Sequence, residues 1–405
     1  MSSTKHVLYL TFDGLTDPLG QSQVLPYLEG LSKNGYAFTI LSLDKSERYR
    51  KESEVIQKRC DQHNIKWVSL RYYQGIPLIS PLLNIFRVLF LSFWIVVKEK
   101  VVMLHCRSYL SAMVGLLVKG ILRRPYIFDM RGFWADERKD NGMLKSTFVY
   151  NFLKGAERRL IVHAAGIVSL TRSGIREMSS WSYVTPTIAS RMIHITTCAD
   201  IDRYDVAFQK TAGRDFSAQT FTLIYVGSFG PLHAKDHMLA FLGAVMTKYP
   251  LCKAVLVLSA IPKELETELT GHGLTKERIK VTSLPHHQIP DIMSEGDIGF
   301  FFIPPKYSKK ASSPTKMGEM LAAGLPVITG PYIGDADELI EEGRIGYVVQ
   351  EYTKEQYLYS LEFLIQLIKD DREGLRDRCR SVAESYFALS KGIISYRELY
   401  TRIIN

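Results

Sequence analysis

The sequence predicts an α/β fold of two domains, each an open parallel sheet flanked by helices, and three observations carry that reading. Apolar, strand-like runs alternate with helix-like segments, and such units wind right-handedly into parallel sheets. The 405 residues exceed one ordinary core and suit two domains. A fresh strand, FTLIYVG from Phe221, follows a stretch at 200–217 in which apolar periodicity lapses. The composition, 46% hydrophobic and 23% charged, is that of an ordinary globular chain and argues against disorder.

The first run, HVLYLTF at 6–12, reads as a strand that passes through Asp13-Gly14 into the loop TDPLGQSQ. A helix is expected over 21–33, stopped by Asn34-Gly35, and a second strand over 37–43. Ligands of parallel sheets gather at the C-terminal ends of strands, which places Gly20 and Gln21 at such an edge. Gly20 reads either as a turn glycine or as a point where backbone approaches a ligand closely. The apolar stretch at 76–97 is interrupted by Pro81, Asn84 and Arg87, leaving ten uncharged residues against the roughly 20 that cross a bilayer. Two readings stay open for it: a buried helix, or a helix whose outer face lies on a membrane surface. Arg48, Arg50, Lys51, Lys58, Arg59 and Lys98 support the second. Strands at 101–105 and 126–129 end in His105, Cys106 and Arg107 and in Asp129, Arg131 and Gly132, and their polar side chains are expected to converge on one edge. A helix at 157–165 and strands at 166–170 and 192–197 complete the first half. Strands at 255–258, 279–282, 298–302, 327–329 and 347–349 follow Phe221 in the second.

The formal charge of +9 points to an anionic partner without choosing among nucleotide, phospholipid and nucleic acid. Five scattered cysteines without metal-ligand spacing suit a reducing compartment. The opening MSSTKHVLYLTFDG lacks the features of a signal peptide, so the expected location is the cytoplasm.

Three places carry candidate chemistry. Gly227-Ser228-Phe229-Gly230, with Lys235 opening the next helix, is a strand-to-helix loop able to receive a phosphate on backbone N–H groups, although it is neither GxGxxG nor a Walker loop. Asp335-Ala-Asp337 and Asp200-Ile-Asp202 have the look of metal-holding pairs but lack further ligands, and turn or helix-start roles explain them. The stretch 312–326, SSPTKMGEMLAAGLP, reads as one short helix with Pro314 in its first turn and Gly324 and Pro326 as its stop. Met317, Met320 and Leu321 would share its buried face. Lys316 and Glu319, three apart, would point together, and Ser312, Ser313 and Thr315 would lie where a phosphate meets a helix N-terminus. A capped surface helix would use the same residues.

Taken together these loops resemble those of family 4 glycosyltransferases of the GT-B fold, an α/β architecture of two Rossmann-like domains whose parallel sheets face each other across a cleft. The resemblance runs through DPLGQSQVLPYLEGLSKNGY, AERRLIVHAAGIVSLTRSGIREM, CADIDRY, YVGSF and SSPTKMGEMLAAGLPVITG, and so spans nearly the whole chain. It implies an acceptor-side domain at 1–205, a linker at 206–218, a donor domain at 219–385 and a final helix at 386–405 crossing back to the first domain. Glu319 matches the second glutamate of the family's Glu-x7-Glu signature, which holds the donor ribose; Ala311 stands where the first would be, and Ser313-Pro314-Thr315-Lys316 matches a pattern found in a subset. Gly227 and Ser228 match the loop near the donor diphosphate, Lys235 the phosphate-binding lysine, and Gly20 the first domain's glycine loop. His105-Cys-Arg107 aligns with a His-x-His element, which puts Arg107 where a histidine often meets the donor sugar.

The implied activity is retaining, metal-independent transfer from a nucleotide sugar to a glycan or lipid-linked acceptor in surface polysaccharide assembly. Lys235, Lys316 and Arg107 would be the catalytic cations. Gly227, Ser228, Ser312, Ser313, Thr315 and Glu319 would hold the donor, and Gly20, Gln21, His105, Asp129 and Arg131 would line the acceptor side. The nucleotide sugar is a co-substrate; no cofactor, bound metal or nucleic acid is expected, and an anionic surface at the inner face of the membrane is a further expected partner. A nucleotide-sugar epimerase of the same fold, or a non-catalytic sugar-nucleotide binding protein, is the alternative.

Overall fold

The computed structural model describes residues 5–75, 79–214, 216–229 and 234–405. Of the features read in the sequence, residues 1–4, the first three residues of the apolar stretch, Asp215 in the expected linker and Gly230 lie outside the described residues. Contacts divide the chain into two units, Met1–Thr196 with Leu389–Asn405, and Thr197–Ala388.

Unit 1 contains seven parallel strands: β1 (Lys5–Thr11), β2 (Tyr36–Asp44), β3 (Ile65–Arg71), β4 (Met103–Arg107), β5 (Tyr126–Asp129), β6 (Gly166–Ser169) and β7 (Met192–His194). They lie in the order β3-β2-β1-β4-β5-β6-β7, so the direction of winding reverses between β1 and β4. Val7, Leu8, Tyr9 and Leu10 of β1 are all buried, as in a strand covered on both faces. Register places Thr11 beside Arg107 and Arg107 beside Asp129, so the first, fourth and fifth strands end together on one edge as expected.

Two differences from the sequence reading have local causes. The helix expected over 21–33 is two, Pro18–Gln23 and Leu25–Ser32, broken at Val24, whose φ of -123° and ψ of -63° are not helical. Pro26 lacks an N–H, and its ring would meet the carbonyl four residues back in a continuous helix. The strand β3 is missed because IKWVSLR mixes Lys66, Ser69 and Arg71 among apolar residues, as an edge strand does. The apolar stretch forms one unbroken helix, Ile79–Lys98, as both readings of it expect. Pro81 falls in its first turn, Asn84 exchanges two 3.1 Å hydrogen bonds with the Tyr73 backbone, and Arg87 donates to the Arg71 carbonyl at 2.9 Å, so none of the three ends it. By length and composition it is apolar enough to cross a membrane, with a mean hydropathy of 1.8 over Ser80–Lys98 and 33% of that window buried.

Unit 2 contains six parallel strands: β8 (Thr222–Gly227), β9 (Lys253–Leu258), β10 (Ile279–Thr282), β11 (Ile298–Phe301), β12 (Val327–Thr329) and β13 (Gly346–Val348), in the order β10-β9-β8-β11-β12-β13. All six coincide, within a few residues, with strands read from the sequence. The residues expected as a linker, 206–218, begin inside a helix, Asp205–Ala212, whose Ala207 and Thr211 are buried. The last helix, Leu389–Ile404, belongs to unit 1 and buries Tyr396, Leu399 and Tyr400 there.

Candidate functional site

In unit 2 the winding reverses between β8 and β11, the place where open parallel sheets leave a crevice beyond their strand ends. The helix Thr315–Ala322 follows β11 and is fixed by Met317, Met320 and Leu321, all fully buried, and by Gly324, whose φ of +77° ends it. Pro314 caps this helix with extended backbone (φ -76°, ψ 110°) rather than sitting in its first turn. Lys316 reaches from the helix to the end of β8. Its ammonium donates to the Tyr225 hydroxyl at 3.0 Å and lies 4.4 Å from that ring's centroid and 6.0 Å from the Phe301 ring. Tyr225 in turn donates to the Ser228 carbonyl at 2.6 Å.

Gly227, the last residue of β8, has a φ of +149°, and a Cβ on it would stand 2.5 Å from Lys316 Nζ. The backbone conformation favours glycine there, and its missing side chain leaves room for the lysine. Among the described residues no carboxylate lies within ion-pair distance of Lys316. Burial brings its pKa down to about 7, with Glu319 acting in the opposite direction. The result is a buried ammonium at a strand-end glycine with no carboxylate at ion-pair distance among the described residues, an arrangement suited to an anion.

Glu319 is itself 7% exposed. Its Oε1 is 3.2 Å from His286 Nε2, while Arg203 Nη1 is 3.0 Å from His286 Nδ1 and Arg203 Nη2 donates to the His286 carbonyl at 3.1 Å. A guanidinium can only donate, so Nδ1 accepts, and Nε2 carries the hydrogen given to Glu319. Lys316 and Glu319 thus share a helix face and feel one another's charge, but each has its own partner.

The other residues of the donor set are distributed around this helix. Thr315 is its first residue. The Ser312 N–H donates to the Lys309 carbonyl at 3.0 Å, and the Ser313 carbonyl accepts from the Thr197 hydroxyl at 2.6 Å. Ala311, where the family signature has a glutamate, is 2% exposed, so a carboxylate there would be buried. Lys235 opens the helix Lys235–Lys248 and forms an ion pair with Glu268 whose hydrogen bond raises the lysine pKa. Its charge is already matched, unlike that of Lys316. The Asp335 carboxylate accepts from Tyr386 at 2.6 Å, and Asp337 accepts from the Tyr332 N–H at 3.0 Å, which accounts for that acidic pair structurally.

Unit 1 gathers its polar residues at the β1, β4 and β5 ends. Arg107 is 4% exposed; its Nε donates to Asp13 at 3.2 Å, and its buried Nη1 has no hydrogen-bond partner among the described residues. Burial works against its charge, but Tyr9, Asp129 and Asp13 together outweigh it and keep the guanidinium protonated. Asp129 accepts from Tyr396 at 3.2 Å and faces Arg131 Nη1 at 3.7 Å. Burial alone would raise its pKa; Arg131, His105 and Arg107 reverse that and hold it at about 2. Arg131 adopts a φ of +59°, a left-handed conformation in a non-glycine residue.

Two residues differ from expectation here. His105 lies in the middle of β4 rather than at its end and is 2% exposed. Its Nδ1 is 2.6 Å from the Tyr400 hydroxyl and its Nε2 is 3.5 Å from Asp129, and burial depresses its pKa, so it acts as a neutral link to the last helix. Gly20 is in a helix, not a loop, and a Cβ on it would stand 2.3 Å from the Gly14 carbonyl oxygen. The close approach it permits is to its own chain. Gln21 reaches back to the Thr16 carbonyl at 3.4 Å.

Sequence reasoning missed Tyr225, His286, Arg203, Tyr396 and Tyr400. Tyr225 is legible in the sequence, since residues two apart on a strand share a face and Gly227 is a candidate donor residue. The others come from loops or helices distant in sequence, and nothing local distinguishes them.

No family model matches the sequence, and no curated protein matches it. Among solved structures, Anabaena HepE, crystallised with UDP and glucose, is 16% identical over 98% of this chain and 99% of its own, with a TM-score of 0.69. Sucrose-phosphate synthase from Thermosynechococcus elongatus is 14% identical over 98% of this chain and 99% of its own, at a TM-score of 0.72. UDP-GlcNAc 2-epimerase from Neisseria meningitidis, bound to UDP-GlcNAc, is 14% identical over 98% of this chain and 100% of its own, at 0.59. With its two parallel-sheet, Rossmann-like units, the chain has the GT-B fold.

Proposed function

We propose that this protein is a retaining, metal-independent glycosyltransferase that moves a sugar from a nucleotide-sugar donor to a glycan or lipid-linked acceptor on the cytoplasmic side of a membrane, in cell-surface polysaccharide assembly, without a resident cofactor. The observation that carries the reading is Lys316, a buried ammonium with no carboxylate at ion-pair distance among the described residues, aimed at Gly227 where the winding of unit 2 reverses. A diphosphate is the anion that fits such a strand-end position. The solved neighbours crystallised with UDP and UDP-glucose support the same class of donor.

In this reading the bond between the anomeric carbon and the donor phosphate oxygen breaks while an acceptor hydroxyl oxygen bonds to that carbon on the same face. The hydroxyl proton passes to the departing phosphate, and a nucleoside diphosphate leaves. Charge grows on the diphosphate as the bond breaks, and Lys316 with the N–H groups of Gly227 and Ser228 stabilises it. Glu319, held by His286, orients the ribose and transfers no proton. Lys235 joins the diphosphate by exchanging Glu268 for phosphate. Ser312, Ser313 and Thr315 line the helix start beside the donor. Arg107 is the cation of the unit 1 edge; Asp129 and Arg131, with His105, Gly20 and Gln21 behind them, shape the acceptor side.

Incubation with a panel of nucleotide sugars, following free nucleoside diphosphate with and without acceptor extracts, tests the proposal. Acceptor-dependent release is expected, and Lys316→Ala and Glu319→Ala should each lose most of it while remaining folded. Conversion of the donor to an epimer without acceptor would replace the transferase with the epimerase. Binding of donor without any turnover would leave a binding protein.

A further inference from the structure

Unit 1 presents a second surface that the donor chemistry does not use. Thirteen of the 24 large hydrophobic side chains exposed among the described residues fall between Leu82 and Phe152. They sit on three helices, Ile79–Lys98, Ser108–Leu122 and Thr147–His163, and on the segment joining the last two. These helices connect β3 to β4, β4 to β5 and β5 to β6. All three crossings run the same way across the sheet, so right-handed winding places them on one face, where Ser108–Leu122 packs against both of the others.

Each helix keeps an apolar stripe on the side turned away from the protein. In the first, Asn84, Val88, Ser92, Ile95 and Val96 are buried, whereas Leu82, Phe86, Phe90, Trp94 and Val97 are exposed at one-turn spacing, Phe90 to 70%. The polar Asn84 and Ser92 face inward and the aromatic residues outward, the reverse of an ordinary surface helix. In the second, Met113, Leu117 and Ile121 repeat the spacing. In the third, Phe148 is 82% exposed and Phe152 follows one turn later. Soluble surfaces rarely carry so many exposed apolar side chains on neighbouring helices without a partner.

Charge identifies the partner. The three helices carry Arg87, Lys98, Lys119, Lys154, Arg158 and Arg159, and their sole carboxylate, Glu157, is fully buried. Lys98 sits over the Trp94 ring at 4.2 Å, an ammonium paired with an indole as at a lipid headgroup boundary. A second copy of the same face would bring like charges together. We propose that this three-helix face docks unit 1 onto an anionic lipid surface, with the exposed aromatic and aliphatic side chains entering the headgroup boundary and the arginines meeting lipid phosphates. This assignment rests on none of the donor-site residues and stands or falls separately from the transferase reading.

Flotation of the full chain with phosphatidylcholine vesicles, and with the same vesicles containing phosphatidylglycerol, tests it. Binding is expected only to the anionic vesicles, weakening with added salt. Phe90→Glu with Phe152→Glu, and separately Arg158→Glu with Arg159→Glu, should each weaken it by about tenfold or more, while Leu251→Glu, an exposed residue of unit 2, leaves it unchanged. Because the outward residues lie outside the core, these variants should unfold at the parent temperature. In the parent, anionic vesicles should shift the tryptophan emission to the blue, and Trp94→Phe should abolish most of that shift. The proposal is overturned by absence of flotation, by equal binding to neutral vesicles, by binding indifferent to both pairs of variants, or by a dimer in solution that Phe90→Glu disrupts.

Discussion

Lys316 holds a charge where the fold makes charge costly. Its pKa of about 7 lies below the roughly 10.4 of a lysine in an unfolded chain. Between those two values the unfolded chain binds a proton that the folded chain lacks, so stability should rise with pH across that window, and below about 7 the fold should carry the full cost. Replacing the lysine with a side chain of similar shape and no charge should therefore raise the unfolding temperature at neutral pH. The same Lys316→Met change should lower the rate of sugar transfer by about 10²–10³, as loss of one preorganised charge at a reacting centre does. Thermal unfolding and steady-state rates on the one variant check both directions; a variant both less stable and fully active would contradict this account of the residue.

The helix Thr315–Ala322 shows how much of an element a sequence reveals. Its buried face of Met317, Met320 and Leu321 and its stop at Gly324 are legible in the spacing alone. The unit 2 strands are equally legible, being short apolar runs bounded by turn residues. What the sequence concealed depends on partners distant along the chain. The inward turn of His105 is set by Tyr400, nearly 300 residues away, and the hold on Glu319 comes through His286 from Arg203. Ala311 marks the other limit, because a missing carboxylate leaves no trace of what replaces it. At this scale Gly324 offers a direct test. A Cβ there would lie 2.8 Å from the Phe208 ring on backbone of φ +77°. Gly324→Ala should cost about 1–2 kcal/mol from the left-handed backbone alone, read as a lower denaturant midpoint at unchanged slope.

Across the whole molecule, both units reverse their winding beside their first strand, and in both the polar residues collect at that reversal. Unit 1 owes part of its edge to the end of the chain, since Tyr396 and Tyr400 of the last helix bond Asp129 and His105. Removal of Leu389–Asn405 should strip three buried side chains from unit 1, each worth about 1.5–3 kcal/mol of burial. Hydrogen exchange should then show lost protection in β4 and β5 while unit 2 retains its own. The central claim, that the reversal in unit 2 holds a nucleoside diphosphate, is tested most directly by calorimetric titration of UDP, ADP and GDP into the parent and into Lys316→Met. One-to-one binding of one of the three by the parent is expected, with proton uptake when the pH lies above 7, and affinity lowered by about tenfold or more in the variant, as for a lost charge-assisted contact. Equal affinity in parent and variant, or no binding of any of the three, would contradict it.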